Sequence, residues 1–326
     1  MKTFDILVPV YQNEANLSQT VPRLLSLRDD CLNEGYKLKI VFIDDGSTDN
    51  SYLILREFQK NSDCIDLIKL TRNFGQIYAI QAGINHSKAD CIGVISADLQ
   101  DPETLFIEML QKLKKNISLV IAERSNREES ITQRFFSSLY WQIIRRYGVA
   151  GFPKGGFDFC LFSSNVAKSI STISEKNTNI FPAIFWLGYN YEIIKYKRNK
   201  REKGSSTWTL SKKIALTVDT LISFTKIPIR FITYTGIVVS FLSLLYVVFV
   251  VIFKLLGYGS FPLGWTSLVV FISFFFGVVL FSLGIISEYL QRILDEARGR
   301  PNYIIEEIIS SDDYSSTLQG KGNDSI

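Results

Sequence analysis

Histidine occurs once in this 326-residue chain, at His86, and cysteine only four times, at Cys31, Cys64, Cys91 and Cys160. No two cysteines stand at metal-ligand spacing, which argues against a Cys/His zinc site. Two of them fall in apolar, strand-like runs, so the set reads as small buried residues in a reducing compartment rather than a disulfide framework. Neither G-x-G-x-x-G nor G-x-x-x-x-G-K-[ST] occurs, so dinucleotide and P-loop chemistry are not indicated. Neither sign of charge dominates. The 36 Lys+Arg against 32 Asp+Glu leave +4, too little to predict nucleic acid as a partner. The opening MKTFDILVPVYQNEANL holds an apolar run too short for a secretory signal, and the start of the chain is expected to stay in the cytoplasm.

Apolar residues are plentiful but unevenly spread. They make up 47% of the chain, which excludes a disordered protein. The mean hydropathy of +0.13 is high beside 21% charged residues and suggests a polar part joined to a very apolar one. Residues 231–253 carry no charge, a run of roughly 30 Å as helix and enough for a bilayer core. After Lys254, residues 255–287 are again uncharged. Gly and Pro in 255–262 read as a turn, and 264–287 as a second span with Trp265 at an interface. Lys212, Lys213, Lys226 and Arg230 precede the pair, Arg292, Arg298 and Arg300 follow it, and the turn offers only Lys254. The positive-inside rule then places both long ends in the cytoplasm.

Two flanking segments have helical apolar stripes. In 209–226 these are Leu210, Ile214, Val218, Leu221 and Ile222. In 131–149 they are Phe135, Phe136, Leu139, Tyr140, Ile143 and Ile144. Both fit amphipathic helices lying on a membrane, and both equally fit surface helices packed on a core. The tail after about Ser310 is rich in Ser, Asp and Gly and is expected to be disordered.

The first 125 residues alternate short apolar runs (4–10, 38–43, 65–70, 91–97 and 119–122) with helical periodicity, the signature of an α/β domain with a parallel sheet covered on both faces. Ligands bind such sheets at the carboxyl ends of the strands. The segments placed there are Pro9-Val10-Tyr11-Gln12-Asn13-Glu14, Asp44-Asp45-Gly46-Ser47-Thr48-Asp49, Thr71-Arg72-Asn73-Phe74-Gly75 and Ser96-Ala97-Asp98-Leu99-Gln100-Asp101-Pro102. Carboxylates, not glycines, line this edge. They accept hydrogen bonds from base and sugar, and one with a divalent metal can hold a diphosphate.

These motifs resemble the inverting, family-2 glycosyltransferases that load a sugar from a nucleotide donor onto a polyprenyl phosphate. The resemblance rests on VPVYQNE (8–14), FIDDGSTDNS (42–51), TRNFGQ (71–76), SADLQDP (96–102), ERSNRE (123–128), GGFDFCLF (155–162), KREKGSSTW (200–208) and EARGRPNY (296–303), in order and with the apolar pair between the last two. It implies a Rossmann-like (GT-A) catalytic domain over 1–208, an amphipathic interface helix over 209–228, two transmembrane helices over 229–288 and a cytoplasmic C-terminal segment over 289–326. Two departures stand out. Gln12 stands between Tyr11 and Asn13-Glu14, where the family often has Tyr-Asn-Glu. Ser96 takes the first position of the usual Asp-x-Asp metal motif, leaving Asp98.

By resemblance, Pro9, Tyr11, Glu14, Asp44 and Asp45 contact base and ribose. Asp98, aided by Gln100, holds Mg²⁺ or Mn²⁺ on the donor diphosphate, and Asp158 is the catalytic carboxylate. The plain alternatives are turn and cap roles for Asp45-Gly46-Ser47, Asp49 and Asp98, and a strand position for Asp158. A phosphate monoester with a second pKa of about 6 is already largely dianionic near neutral pH, so Asp158 is expected to orient more than to deprotonate. Arg124, Arg127, Arg201 and Ser205 are the candidates for gripping the acceptor phosphate. His86 is assigned no chemistry. The expected partners are a nucleotide sugar, most simply UDP-glucose, undecaprenyl phosphate, the bacterial cytoplasmic membrane and further copies of the chain, four by resemblance. The competing readings are a membrane-anchored nucleotide-sugar-binding scaffold without catalysis and a transferase with a different acceptor. A processive polysaccharide synthase would need more spans and a Gln-x-x-Arg-Trp motif that the sequence lacks.

Overall fold

The computed structural model describes residues 1–98, 100–125, 152–153, 157–173, 179–197, 227–256 and 265–311, with the isolated positions 142, 145 and 146. Those residues fall in two compact units, 1–215 with 301–326, and 216–300.

The first unit is built on an eight-stranded sheet in the order β7-β5-β6-β4-β1-β2-β3-β8. Its strands are β1 (Lys2–Val10), β2 (Tyr36–Asp44), β3 (Ile65–Leu70), β4 (Cys91–Val94), β5 (Leu119–Arg124), β6 (Cys160–Ser163), β7 (Tyr191–Tyr196) and β8 (Ile305–Ile309). The described helices between them are α1 (Glu14–Leu25), α2 (Leu27–Asn33), α3 (Ser51–Lys60), α4 (Gln76–His86), α5 (Leu105–Leu113), α6 (Ser164–Ser171) and α7 (Ile180–Trp186). Side chains alternate across a strand, and here both alternating sets are buried. Phe4, Ile6, Val8, Ile40 and Phe42 join Leu17, Val21, Leu55, Phe106 and Met109 in one apolar cluster. Leu7 and Ile43 point the other way, toward Gly83 of α4; a Cβ on that glycine would stand 3.0 Å from each. Continuous rather than alternating burial is what a doubly covered sheet requires.

The sheet is not wholly parallel, contrary to the expectation from the alternating pattern. β1 is parallel to β2 and β4, β2 to β3, and β5 to β7. β6 runs antiparallel between β4 and β5, and β8 antiparallel to β3. β6 is four residues long and β8 five, too short for an alternating run to declare itself. The run 91–97 is a strand only to Val94; beyond it the chain turns.

β8 gives the C-terminal segment a place at the edge of the sheet, beside β3. The chain is held through Ser311, whose N–H and hydroxyl both donate to Asp66 Oδ1 at 2.8 Å. Lys39 Nζ lies 3.3 Å and His86 Nε2 3.6 Å from the other Asp66 oxygen. Burial pushes the Asp66 carboxyl up, but His86, Ser311 and Lys39 outweigh it and hold it near 2, below its ordinary 3.8. A depressed carboxyl contributes stability above its unfolded value and loses it as pH falls through the folded one. Asp66→Ala is therefore expected to cost about 3 kcal/mol at neutral pH. Urea unfolding in detergent should show that gap narrowing between about pH 4 and about pH 2. An equal gap at both ends would contradict the pairing.

The second unit contains two long helices, α8 (Ile227–Leu255) and α9 (Trp265–Ala297), in the region where the two apolar spans are expected. At 1.5 Å per residue they measure about 44 and about 50 Å. Among the described residues, one stretch, Phe274–Ala297, is long and apolar enough to cross a membrane. α9 continues past the uncharged run through Glu288, Arg292, Asp295 and Glu296. The segments 209–226 and 131–149, read as amphipathic helices, lie outside the described residues apart from 142, 145 and 146, as does the tail from 312.

Candidate active site

Strand register brings the predicted carboxylates to one edge. The parallel strands β1, β2, β4 and β5 all end there, and antiparallel β6 begins there. Val94 of β4 pairs with Cys160 of β6, and Cys160 with Ile121 of β5. Asp98 lies four residues beyond Val94, Asp158 two before Cys160, and Arg124 three after Ile121. Pro9 and Val10 end β1 opposite Ile43 and Asp44 of β2.

The loops after β1 and β2 are laced together. Gln12 adopts a left-handed φ of 54°. Its N–H donates to Ser47 Oγ at 3.1 Å and its Nε2 to Thr48 Oγ1 at 3.0 Å. Tyr11 N donates to Asn13 Oδ1 at 3.1 Å. The Glu14 carboxylate accepts from Asn50 N at 3.1 Å and Asn50 Nδ2 at 2.9 Å. Glu14 N in return donates to Asp49 Oδ2 at 3.2 Å, and Asp49 Oδ1 takes Ser51 N at 3.1 Å. Asp49 thus bonds the first residue of α3, but the cap position belongs to Asn50, so the cap role read for Asp49 is not met. Glu14 helps join the starts of α1 and α3.

Asp44 and Asp45 are both buried. The Asp45 oxygens accept from Phe74 N at 2.7 Å and Gly75 N at 2.8 Å, clamping the loop after β3. Burial pushes its carboxyl up to about 6 against those two N–H bonds, and burial raises Asp44 as well. Gly46 is required at this crossing. Its φ is +65°, and a Cβ there would fall 2.4 Å from the Arg72 carbonyl carbon.

Asp98 is 7% exposed in the loop after β4, where its Oδ1 accepts from Gln100 N at 3.3 Å. Thr20 Oγ1 anchors that loop to α1 through Ala97 O at 3.0 Å. The next helix begins only at Leu105, with Thr104 at its cap, so Asp98 is not the N-cap of that helix. Among the described residues no group of three His, Cys, Asp or Glu could hold a metal. A single hard carboxylate still fits Mg²⁺ or Mn²⁺ that takes its remaining ligands from a diphosphate and water.

Asp158 and Arg124, predicted for different tasks, are partners. Arg124 Nη2 meets both Asp158 oxygens at 2.5 Å. Burial depresses the Arg124 guanidinium pKa, but the charges of Asp158 and Asp101 more than reverse this and raise it. Arg127, Arg201 and Ser205 lie outside the described residues. Two neighbours of this pair, Asp101 and Tyr196, were not singled out in the sequence. The only signals were a second carboxylate in Leu-Gln-Asp-Pro and an aromatic just before the basic run that starts at Lys197.

Residues 5–170 match the family model described as glycosyl transferase family 2. An uncharacterized glycosyltransferase of Bacillus subtilis (strain 168), YkcC, is 34% identical over 93% of each chain. A prophage-derived bactoprenol glucosyl transferase of Shigella flexneri is 30% identical over 93% of this chain and 97% of its own. Among solved structures, glucosyl-3-phosphoglycerate synthase of Mycobacterium tuberculosis aligns over 67% of this chain and 76% of its own, with 14% identity and a TM-score of 0.49.

Proposed function

This chain belongs to glycosyl transferase family 2, and we propose that it moves a hexose, with UDP-glucose as donor, onto undecaprenyl phosphate at the cytoplasmic face of a bacterial membrane. The glycosyltransferase class follows from the family. The lipid acceptor is supported by near full-length similarity to bactoprenol glucosyl transferases. The observation that carries the reading is the strand register, which gathers Asp44, Asp45, Asp98 and the Arg124–Asp158 pair at one sheet edge.

In this reading Pro9, Tyr11 and the buried Asp44 and Asp45 receive the base and ribose. Asp98, with Gln100 beside it, holds Mg²⁺ or Mn²⁺, which supplies Lewis-acid stabilisation of the departing diphosphate. Arg124, Arg127, Arg201 and Ser205 grip the acceptor phosphate. Asp158, held by Arg124, orients that phosphate for attack on the anomeric carbon from the side opposite the leaving group, which inverts the configuration. The acceptor oxygen is already anionic near neutral pH, so an ion-paired Asp158 suits orientation better than proton removal. α8 and α9 form the membrane hairpin, with both termini cytoplasmic, and keep the enzyme in the plane of its acceptor. The functional form is a homo-oligomer, a tetramer.

A donor panel tests the specificity. Turnover with UDP-glucose should exceed that with UDP-galactose, UDP-N-acetylglucosamine and GDP-mannose, and proton NMR of the lipid product should show the anomeric configuration opposite to the donor's. A retained configuration, or preference for another donor, would overturn the corresponding part.

A further inference from the structure

Asp101 and Tyr196 take no part in the roles above, yet they end a continuous chain of polar contacts that reaches Asp158. Tyr196 Oη donates to Asp101 Oδ1 at 2.5 Å and accepts from Arg124 Nε at 3.3 Å. Arg124 Nη2 then meets both Asp158 oxygens at 2.5 Å. Donors and acceptors alternate without conflict, with one guanidinium between two carboxylates. The chain is sealed at one end and open at the other. Asp101 is 2% and Tyr196 6% exposed, whereas the Asp158 side chain is 35% exposed.

The backbone explains how the pieces meet. Arg124 and Tyr196 are paired positions in the parallel β5–β7 ladder. Ser125 fixes the end of that ladder, its N–H and hydroxyl both donating to Tyr196 O at 2.8 Å. The Tyr196 ring stands edge-on to Phe159, centroids 6.0 Å apart, so its hydroxyl has a defined position. A lone, half-open Arg–Asp pair can swing about its long side chain. Here the guanidinium is bound through Nε as well as Nη2, and two bonds on a planar fork set its orientation. Asp101 also lies three residues after Asp98, in the loop read above as the donor's metal site.

We propose that Tyr196 and Asp101 are positioning residues for glycosyl transfer: buried Asp101 orients the Tyr196 hydroxyl, which fixes Arg124 and, through it, Asp158. They tie the donor loop to the acceptor-orienting pair by hydrogen bonds as well as by backbone. The proposal rests on the transferase reading above.

Tyr196→Phe keeps the ring against Phe159 and removes only the hydroxyl. Transfer should fall on the order of 10-fold to 100-fold in kcat, the scale of losing alignment at a reacting centre. The Kd for the nucleotide diphosphate should stay within about twofold, because its site is assigned to the ends of β1, β2 and β4. Asp101→Asn, which retains an acceptor oxygen for the hydroxyl, should lose less, and the double variant should be no worse than Tyr196→Phe alone if the two act as a unit. Circular dichroism and nucleotide binding establish that each variant is folded. A folded Tyr196→Phe enzyme with kcat within about twofold of wild type would overturn the proposal. So would a loss shared equally by kcat and nucleotide affinity, or additive losses in the double variant. Should Tyr196→Phe fail to fold, Asp101→Asn decides alone: unchanged kcat is fatal. Absence of transfer by the wild-type protein is a separate outcome, and it defeats the transferase reading itself.

Discussion

Asp98→Asn should reduce hexose transfer about 1,000-fold, roughly 4 kcal/mol of transition-state stabilisation, while leaving the fold intact. The size follows from how few ligands the loop offers. Ser96 occupies the position where the family usually has a second carboxylate, and no three-residue acidic or Cys/His cluster stands in reserve among the described residues. In the proposed reading Asp98 would be the carboxylate of this loop that holds the ion, and the ion would supply charge stabilisation to the leaving diphosphate. Asn is isosteric and can keep the contact from Gln100 N at 3.3 Å, and the anchor from Thr20 to Ala97 O does not involve the substituted side chain. Thermal unfolding should therefore change little. Turnover within a few-fold of wild type would mean that Asp98 carries no metal.

Gly46→Ala should destabilise the catalytic unit by about 3 to 5 kcal/mol, summing a left-handed backbone penalty with severe overpacking. The new Cβ would meet Arg72 C at 2.4 Å, Arg72 Cα at 2.6 Å and Asn73 N at 2.7 Å, all backbone atoms that no rotamer change can move aside. The loop after β3 cannot retreat cheaply. Asp45 holds Phe74 N and Gly75 N, and Thr71 N donates to Ile304 O at 3.0 Å. Any relief must therefore disturb Asp45, so nucleotide affinity should fall with stability. Denaturant midpoints and nucleotide titration of the same preparation check both. A midpoint shift of less than about 1 kcal/mol would show that the two loops are not locked as described.

Much of this architecture is legible in the residues because buried strands announce themselves. β1, β2, β3 and β5 lie where their apolar runs stand, and the polar segments that follow them meet at one edge. What stays hidden depends on contacts distant in sequence. β6 is four residues whose place between β4 and β5 is set by pairing across the sheet, not by local pattern. β8 docks 235 or more positions from its partner β3, and the buried Asp66 that receives Ser311 reads locally as a polar interruption of a strand. The site shows the same division. Asp44, Asp45 and Asp98 are marked by their place after strands. Asp101 and Tyr196 carry no motif, since their meaning lies in a register between β5 and β7. The pairing of Asp158 with Arg124 links two motifs that the sequence sets 34 residues apart.

The most direct measurement is transfer of radiolabel from UDP-glucose into organic-extractable lipid by detergent-purified protein given undecaprenyl phosphate, with and without a chelator. The expected result is labelled lipid that depends on undecaprenyl phosphate and Mg²⁺ or Mn²⁺ and disappears on chelation. Folded protein that binds nucleotide yet labels no lipid with any donor would contradict it and leave a different acceptor or a non-catalytic scaffold as the function.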